Sequence, residues 1–98
     1  MKVSINSVHF KTDKKLDSFI TGKLEKLSNY HDGLISSNVI LKLDNSNESK
    51  NKIAEIRLII KGSDLFAKKQ CKSFEEATDS AVEALRRQLK RHKEKLKI

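Results

Sequence analysis

The chain has no proline and no tryptophan, a single cysteine and three glycines. A lone thiol, Cys71, excludes an internal disulfide and fits a reducing compartment. It alternates inward on its segment, which reads as an inert core thiol. Three isolated glycines exclude a glycine-rich phosphate loop. His9, His31 and His92 stand on separate stretches, and no spacing resembles a zinc site, so neither metal nor cofactor is expected. Asp64, Asp79 and Glu83 lack the paired apolar setting that general acid–base chemistry needs, so the chain does not read as an enzyme and no small-molecule substrate is expected. No apolar run approaches the ~18 residues that span a membrane. The N-terminal MKVSINSVHF alternates and lacks the apolar stretch of a secretory signal. A cytoplasmic protein with no membrane partner is the expectation.

Aromatics make up 5% of the chain and hydrophobic residues 37%, so the core is expected to be aliphatic. What the chain has in quantity is charge: 21 Lys and Arg against 13 acids in 98 residues, a net +8. This length predicts one domain. Net charge suggests a polyanionic partner, nucleic acid first and an anionic membrane surface second. Composition alone does not choose, because many soluble domains are basic; the charges have to be placed.

Residues 2–10 alternate, with Val3 and Ile5 on one face, and predict a half-buried strand. Val8 and Phe10 fall out of phase, which a bulge near Ser7 would restore. Asp13 is a good N-cap, and Leu16, Phe19, Ile20, Leu24 and Leu27 follow at helical spacing, predicting a helix over 13–30. The sequence Asp32-Gly33 marks the turn after it. Strands are predicted over 35–44, with Val39, Leu41 and Leu43 on one face, and over 52–61, with Ala54, Ile56, Leu58 and Ile60 inward. The polar 45–51 forms a loop between them, and Gly62-Ser63-Asp64 a tight hairpin into a fourth strand over 65–72. On that strand Leu65, Ala67 and Cys71 face inward, while Lys69 breaks the pattern and is expected to sit near the sheet's end or to snorkel. Ser73 and Glu76 then form a capping box for a long helix, with Phe74, Ala77, Ala81, Leu85, Leu89 and Leu96 as its core stripe. The expected fold is α+β in the order β-α-β-β-β-α. A right-handed crossover leads into a meander, and both helices pack on one face of a four-stranded sheet, as in double-stranded-RNA-binding domains.

The last helix places the charge. Between Arg86 and Lys97 lie seven basic residues against one acid, Glu94, a net +6 of the chain's +8. On a wheel at ~100° per residue with Leu85 at zero, Arg86, Arg87, Lys90, Arg91, Lys93 and Lys97 occupy the arc from about 80° to 240°, away from the core stripe. Glu75, Glu76, Asp79 and Glu83 occupy the earlier turns of that face. Acids at the start and bases at the end complement the helix dipole. The dipole does not account for the density, since Arg86/Lys90, Arg87/Arg91 and Lys93/Lys97 are like-charge i,i+4 pairs that each cost a few tenths of a kcal/mol. Lys14, Lys15, Lys23 and Lys26 on the first helix, with Lys68 and Lys72 by the fourth strand, make a second basic group. Two basic ridges with a groove between them suit a folded RNA or a duplex backbone. Binding would weaken by about 0.9 log units per phosphate contact per decade of salt. No aromatic platform for reading bases lies on the third strand. Phe66 and Tyr30 are of a type that stacks on bases, but their positions read first as closing core edges.

The element order, the segment KLEKLSNYHDGLISSNVIL over 23–41 and above all LRRQLKRHKEKLK over 85–97 resemble the ribosome hibernation-promoting factor and ribosome-associated inhibitor family, once labelled sigma-54 modulation proteins. The resemblance runs from Val3 to Lys97. It implies a protein that binds the small ribosomal subunit in the channel used by mRNA and tRNA and silences translation in slow growth by occlusion. The matched positions are Lys23 and Lys26 on the first helix and Arg87, Lys90, Arg91, His92, Lys93 and Lys95 on the last. Together with Arg86 from the wheel they form the candidate 16S rRNA contacts; His92 and Lys95 rest on the resemblance alone. Two positions depart from the family pattern: Glu75 stands where an aromatic is common, with Phe74 beside it, and Lys69 replaces a small residue. The resemblance is to the short form, which implies a single ribosome-binding domain over 1–98 without a C-terminal dimerisation domain, monomeric when free. Two other readings remain open: a general double-stranded-RNA-binding module, and a protein-interaction module using Ile40, Ile59 and Phe66 on the uncovered sheet face.

Overall fold

The computed structural model describes residues 1–45 and 49–96, and of residues 94–96 the backbone alone. Strand β1 (Lys2–Ser7) runs parallel to β2 (Leu34–Leu43), with Ile5 opposite Val39. Parallel neighbours need a crossover, and α1 (Lys14–Tyr30) supplies it. Strands β2, β3 (Lys52–Ile60) and β4 (Ser63–Cys71) form an antiparallel meander, and α2 (Phe74–Leu96) follows. The spatial order β1-β2-β3-β4 repeats the chain order.

Period-two alternation decides which face is buried. Val39 and Leu41 of β2, Ala54, Ile56, Leu58 and Ile60 of β3, and Ala67 of β4 point to one side. Ile20, Leu24 and Leu27 of α1 meet them there, as do Ala77, Ala81, Leu85 and Leu89 of α2, in one continuous cluster. Both helices therefore lie on the same face of the sheet, and the α+β architecture is as the alternation predicts. Leu96 of the expected stripe lies outside the described side chains.

Local chemistry sets the element ends. The Asp13 carboxylate accepts the Leu16 N–H at 2.8 Å and starts α1. The Ser73 hydroxyl accepts the Glu76 N–H at 3.1 Å and starts α2. The hairpin between β3 and β4 turns at Lys61-Gly62, because Ile60 already pairs with Ser63. Gly62 has φ +83, a backbone region that favours glycine. Gly33 packs closely against the His31 ring. Its N–H donates to Nδ1 of His31 at 2.9 Å, and a Cβ there would meet the His31 ring at 2.8 Å.

Three expectations need correction. No bulge carries the first strand on to residue 10: β1 stops at Ser7, and His9 takes φ +66. That turn frees Phe10 to stack on Phe74 at 5.0 Å, joining the starts of the two helices. Leu43 is in phase with Leu41 yet 48% exposed, so the inward face loses its cover at the last residue of β2. Cys71 is only half-buried, its sulfur 3.9 Å from the Ser80 hydroxyl on α2. Lys69 does share the inward phase of β4 and stays exposed on this edge strand, as a snorkelling lysine does.

Candidate nucleic-acid interface

The groove between α1 and α2 is built from the helical positions that the core leaves over. On α1, Leu24 and Leu27 point down, and Lys23, Lys26 and Tyr30 fall one residue earlier or three later, on the flank facing α2. On α2, Leu85 points down, and Val82, Glu83 and Arg86 face α1. These side chains, with Asp79, line a cleft of about 260 Å³. An adjoining cleft of about 320 Å³ is lined by Tyr30, Glu83, Arg86, Arg87 and Lys90. The two are one continuous groove, since Tyr30, Glu83 and Arg86 belong to both.

Lys93 closes the far end. Its ammonium donates to the Tyr30 carbonyl at 3.1 Å and stands 5.0 Å from the centre of the Tyr30 ring. A cation held over an aromatic face gains from the ring quadrupole, and here it ties the end of α1 to the basic end of α2. Lys23 is held at the other side, 2.9 Å from Asp79 and 5.4 Å from the centre of the Phe19 ring. Arg86 and Arg87 share Glu83 at 3.0 Å and 3.9 Å. Lys26 and Lys90 are exposed and have no ion-pair partner among the described residues.

The groove thus gathers Lys23, Lys26, Arg86, Arg87, Lys90 and Lys93 of the nine candidate contacts. Two others lie elsewhere. Arg91 faces the β3–β4 hairpin, in a cleft with Ser63, Leu65, Gln88 and His92. His92 is half-buried and turned toward His31, their ring centres 6.0 Å apart. The side chain of Lys95 lies outside the described residues. Lys68, counted with the second basic group, is on the opposite face of the sheet beside Glu55, because its neighbour Ala67 points inward. Lys15 lines a separate cleft with Phe10, Phe19 and Phe74 near the helix starts.

Tyr30 is an exposed anchor of the groove and does not close a core edge, and its i,i+4 spacing from Lys26 is the signal that places it there. Asp79 and Glu83 were visible as acids on the basic face, but not as partners of three particular cations.

The bare face of the sheet holds Ile40, Ile59 and Phe66, but not as a continuous patch. Lys42 pairs with Glu55 and Arg57 with Asp64, and these ion pairs thread between the apolar side chains. Arg57 also lies 5.3 Å from the centre of the Phe66 ring. No His, Cys, Asp or Glu cluster fit for a metal occurs among the described residues. No described helix is long and apolar enough to cross a membrane.

A family model described as "Sigma 54 modulation protein / S30EA ribosomal protein" matches residues 3–97. The ribosome hibernation promoting factor of Salmonella typhimurium is 30% identical over 97 residues, covering 99% of this chain and 98% of the relative. Among solved structures, a ribosomal subunit interface protein from Coxiella burnetii superposes with a TM-score of 0.84 at 17% identity, covering 95% of this chain and 98% of the other. The N-terminal domain of Protein Y from Thermus thermophilus gives 0.81 at 24% identity, covering 94% and 99%. At these identities the two structures speak for the fold.

Proposed function

This chain belongs to the sigma 54 modulation protein / S30EA ribosomal protein family, and from that premise we propose that it is a cytoplasmic ribosome hibernation factor. It binds the small subunit through the groove between α1 and α2, contacts 16S rRNA in the channel used by mRNA and tRNA, and silences translation by occlusion, without chemistry of its own. The observation that carries this reading is the convergence of six cations from two helices on one groove, with Tyr30 at its centre. Charges held on rigid helices meet phosphates without the ordering cost that a flexible basic tail pays. Lys23, Lys26, Arg86, Arg87, Lys90 and Lys93 are the phosphate contacts in this reading. Arg91 and His92, outside the groove, contact a second stretch of rRNA in this reading, and Lys95 joins them on the family resemblance alone.

The test is co-sedimentation with isolated 30S subunits together with inhibition of cell-free translation. We expect stoichiometric binding at moderate salt and inhibition that tracks occupancy. Binding should weaken steeply as salt rises, because counterion release drives phosphate contacts. Failure to bind 30S subunits at moderate salt sinks the proposal. Equal affinity for subunits and for any RNA duplex would instead make the chain a general double-stranded-RNA-binding module.

A further inference from the structure

Two carboxylates stand in the middle of the basic face. Asp79 and Glu83 lie one turn apart on the outward side of α2, with side chains 51% and 44% exposed. Asp79 holds Lys23 across the groove at 2.9 Å. Glu83 holds Arg86 at 3.0 Å and Arg87 at 3.9 Å on its own helix. On the other flank, Lys69 of β4 lines a cleft with both acids and Arg87. The two acids therefore offset part of the positive charge at the centre of the face. The free cations, Lys26 and Lys90, lie toward the end where Lys93 closes the groove.

A carboxylate offers a guanidinium or an ammonium what a phosphate offers, an anionic oxygen at hydrogen-bond distance. Resting on the reading that this groove binds rRNA phosphates, we propose that Asp79 and Glu83 are its specificity-determining residues. In the free chain they pair with Lys23, Arg86 and Arg87. An RNA whose phosphates fall on those cations and clear of the acids can displace them, and a backbone that runs unbroken along the groove is repelled. A regular duplex presents phosphates at even spacing, so one of them must approach the acids. A folded RNA can set phosphates on either side of the acids and none between. Discrimination of this kind comes from a penalty on the wrong partner as much as from contacts to the right one.

The experiment compares three full-length proteins: the native chain, the double variant Asp79→Asn with Glu83→Gln, and a matched control, Glu55→Gln with Asp64→Asn. The control removes two acids from the opposite face and makes the same change in net charge. Each is titrated against a 20-base-pair RNA duplex and against isolated 30S subunits at several salt concentrations, after thermal melts have shown that all three fold. The groove variant should bind the duplex about tenfold more tightly. Its salt slope on the duplex should steepen by two to three, about 0.9 for each of Lys23, Arg86 and Arg87 released to phosphate. Its affinity for subunits should rise less, so the preference for subunits over duplex falls at least fivefold. The control should change either affinity by less than threefold. An unchanged duplex slope overturns the proposal, as does an equal rise on both RNAs or a control that matches the groove variant. If the native chain fails to bind subunits, the functional reading falls, and a duplex affinity gained only by the groove variant still shows the acids excluding a continuous backbone.

Discussion

The two faces of the sheet carry the same kinds of charged residue and differ in what those residues are free to do. On the bare face, Lys42 is paired with Glu55 and Arg57 with Asp64, and Lys68 stands across the ladder from Glu55. Lys42, Arg57 and Lys68 there share two acids, Glu55 and Asp64, supplied by neighbouring strands, while Lys2 on β1 stands opposite Ser36. On the helical face Asp79 and Glu83 pair with Lys23, Arg86 and Arg87, and Lys26 and Lys90 are left without ion-pair partners among the described residues. A sheet forces cross-strand neighbours together at about 5 Å, so charges placed there neutralise one another. Two helices side by side can instead aim like charges into a shared groove. The denser and less paired positive charge therefore lies on the helical side.

The largest effect expected from breaking this contrast comes from the residue that fixes α2 to the sheet. Leu85 is fully buried beneath Arg86 and Glu83. Leu85→Ala should cost about 2–5 kcal/mol in urea unfolding, as large-to-small changes in packed cores do. Ile40→Ala on the bare face, where the side chain is 39% exposed, should cost less than about 1 kcal/mol. A comparable loss at both positions would mean that the bare face is part of the core.

Neutralising the free cations should come next. Lys26→Gln with Lys90→Gln should weaken binding to 30S subunits about 30-fold and reduce the salt slope by about two, one for each phosphate contact removed. The mirror change on the bare face, Lys42→Gln with Lys68→Gln, should leave both quantities within threefold and half a unit. Filter binding over a salt series reads both. If the mirror change is as damaging, net charge rather than placement governs binding.

Much of this contrast is legible in the sequence, and its limits have physical reasons. The arc of Arg86, Arg87, Lys90 and Lys93 follows from helical periodicity alone, since those angles are fixed once Leu85 is set inward. Strand order and the covered face follow from alternation in 35–44 and 52–61. Three things were not available from pattern. That Lys68 faces away from the helices follows from Ala67 pointing inward, but that its cross-strand neighbour is Glu55 is a matter of register between strands, which one-dimensional spacing does not fix. His92 points to His31, which the wheel cannot foresee because the C-terminal end of α1 is what occupies that flank. The pairing of Lys23 with Asp79 joins residues 56 positions apart and depends on how closely the two helices lie.

A smaller change stiffens the helical face without touching its charge. Gly22 sits inside α1, and a Cβ there would meet nothing within 4 Å. Glycine costs a helix interior about 0.5–1 kcal/mol relative to alanine, chiefly through the freedom it gives the unfolded chain. Gly22→Ala should therefore raise stability by that amount and leave subunit affinity within twofold. A drop in affinity at raised stability would show that α1 has to bend to seat the groove on its partner.

The smallest effect concerns the ion pairs of the bare face. Surface pairs contribute about 0–1 kcal/mol, because solvent screening and side-chain ordering offset most of their attraction. Lys42–Glu55 is the less exposed of the two, with side chains 38% and 17% accessible. A double-mutant cycle with Lys42→Met and Glu55→Gln should give a coupling of about 0.5 kcal/mol in urea unfolding, with subunit binding unmoved by either change. On that outcome the pair matters by cancelling charge where no phosphate is to be bound, and its contribution to folding is incidental. A coupling well above 1 kcal/mol would make the pair a structural strut. The two faces would then differ in the job their ions do as well as in how far those ions are free.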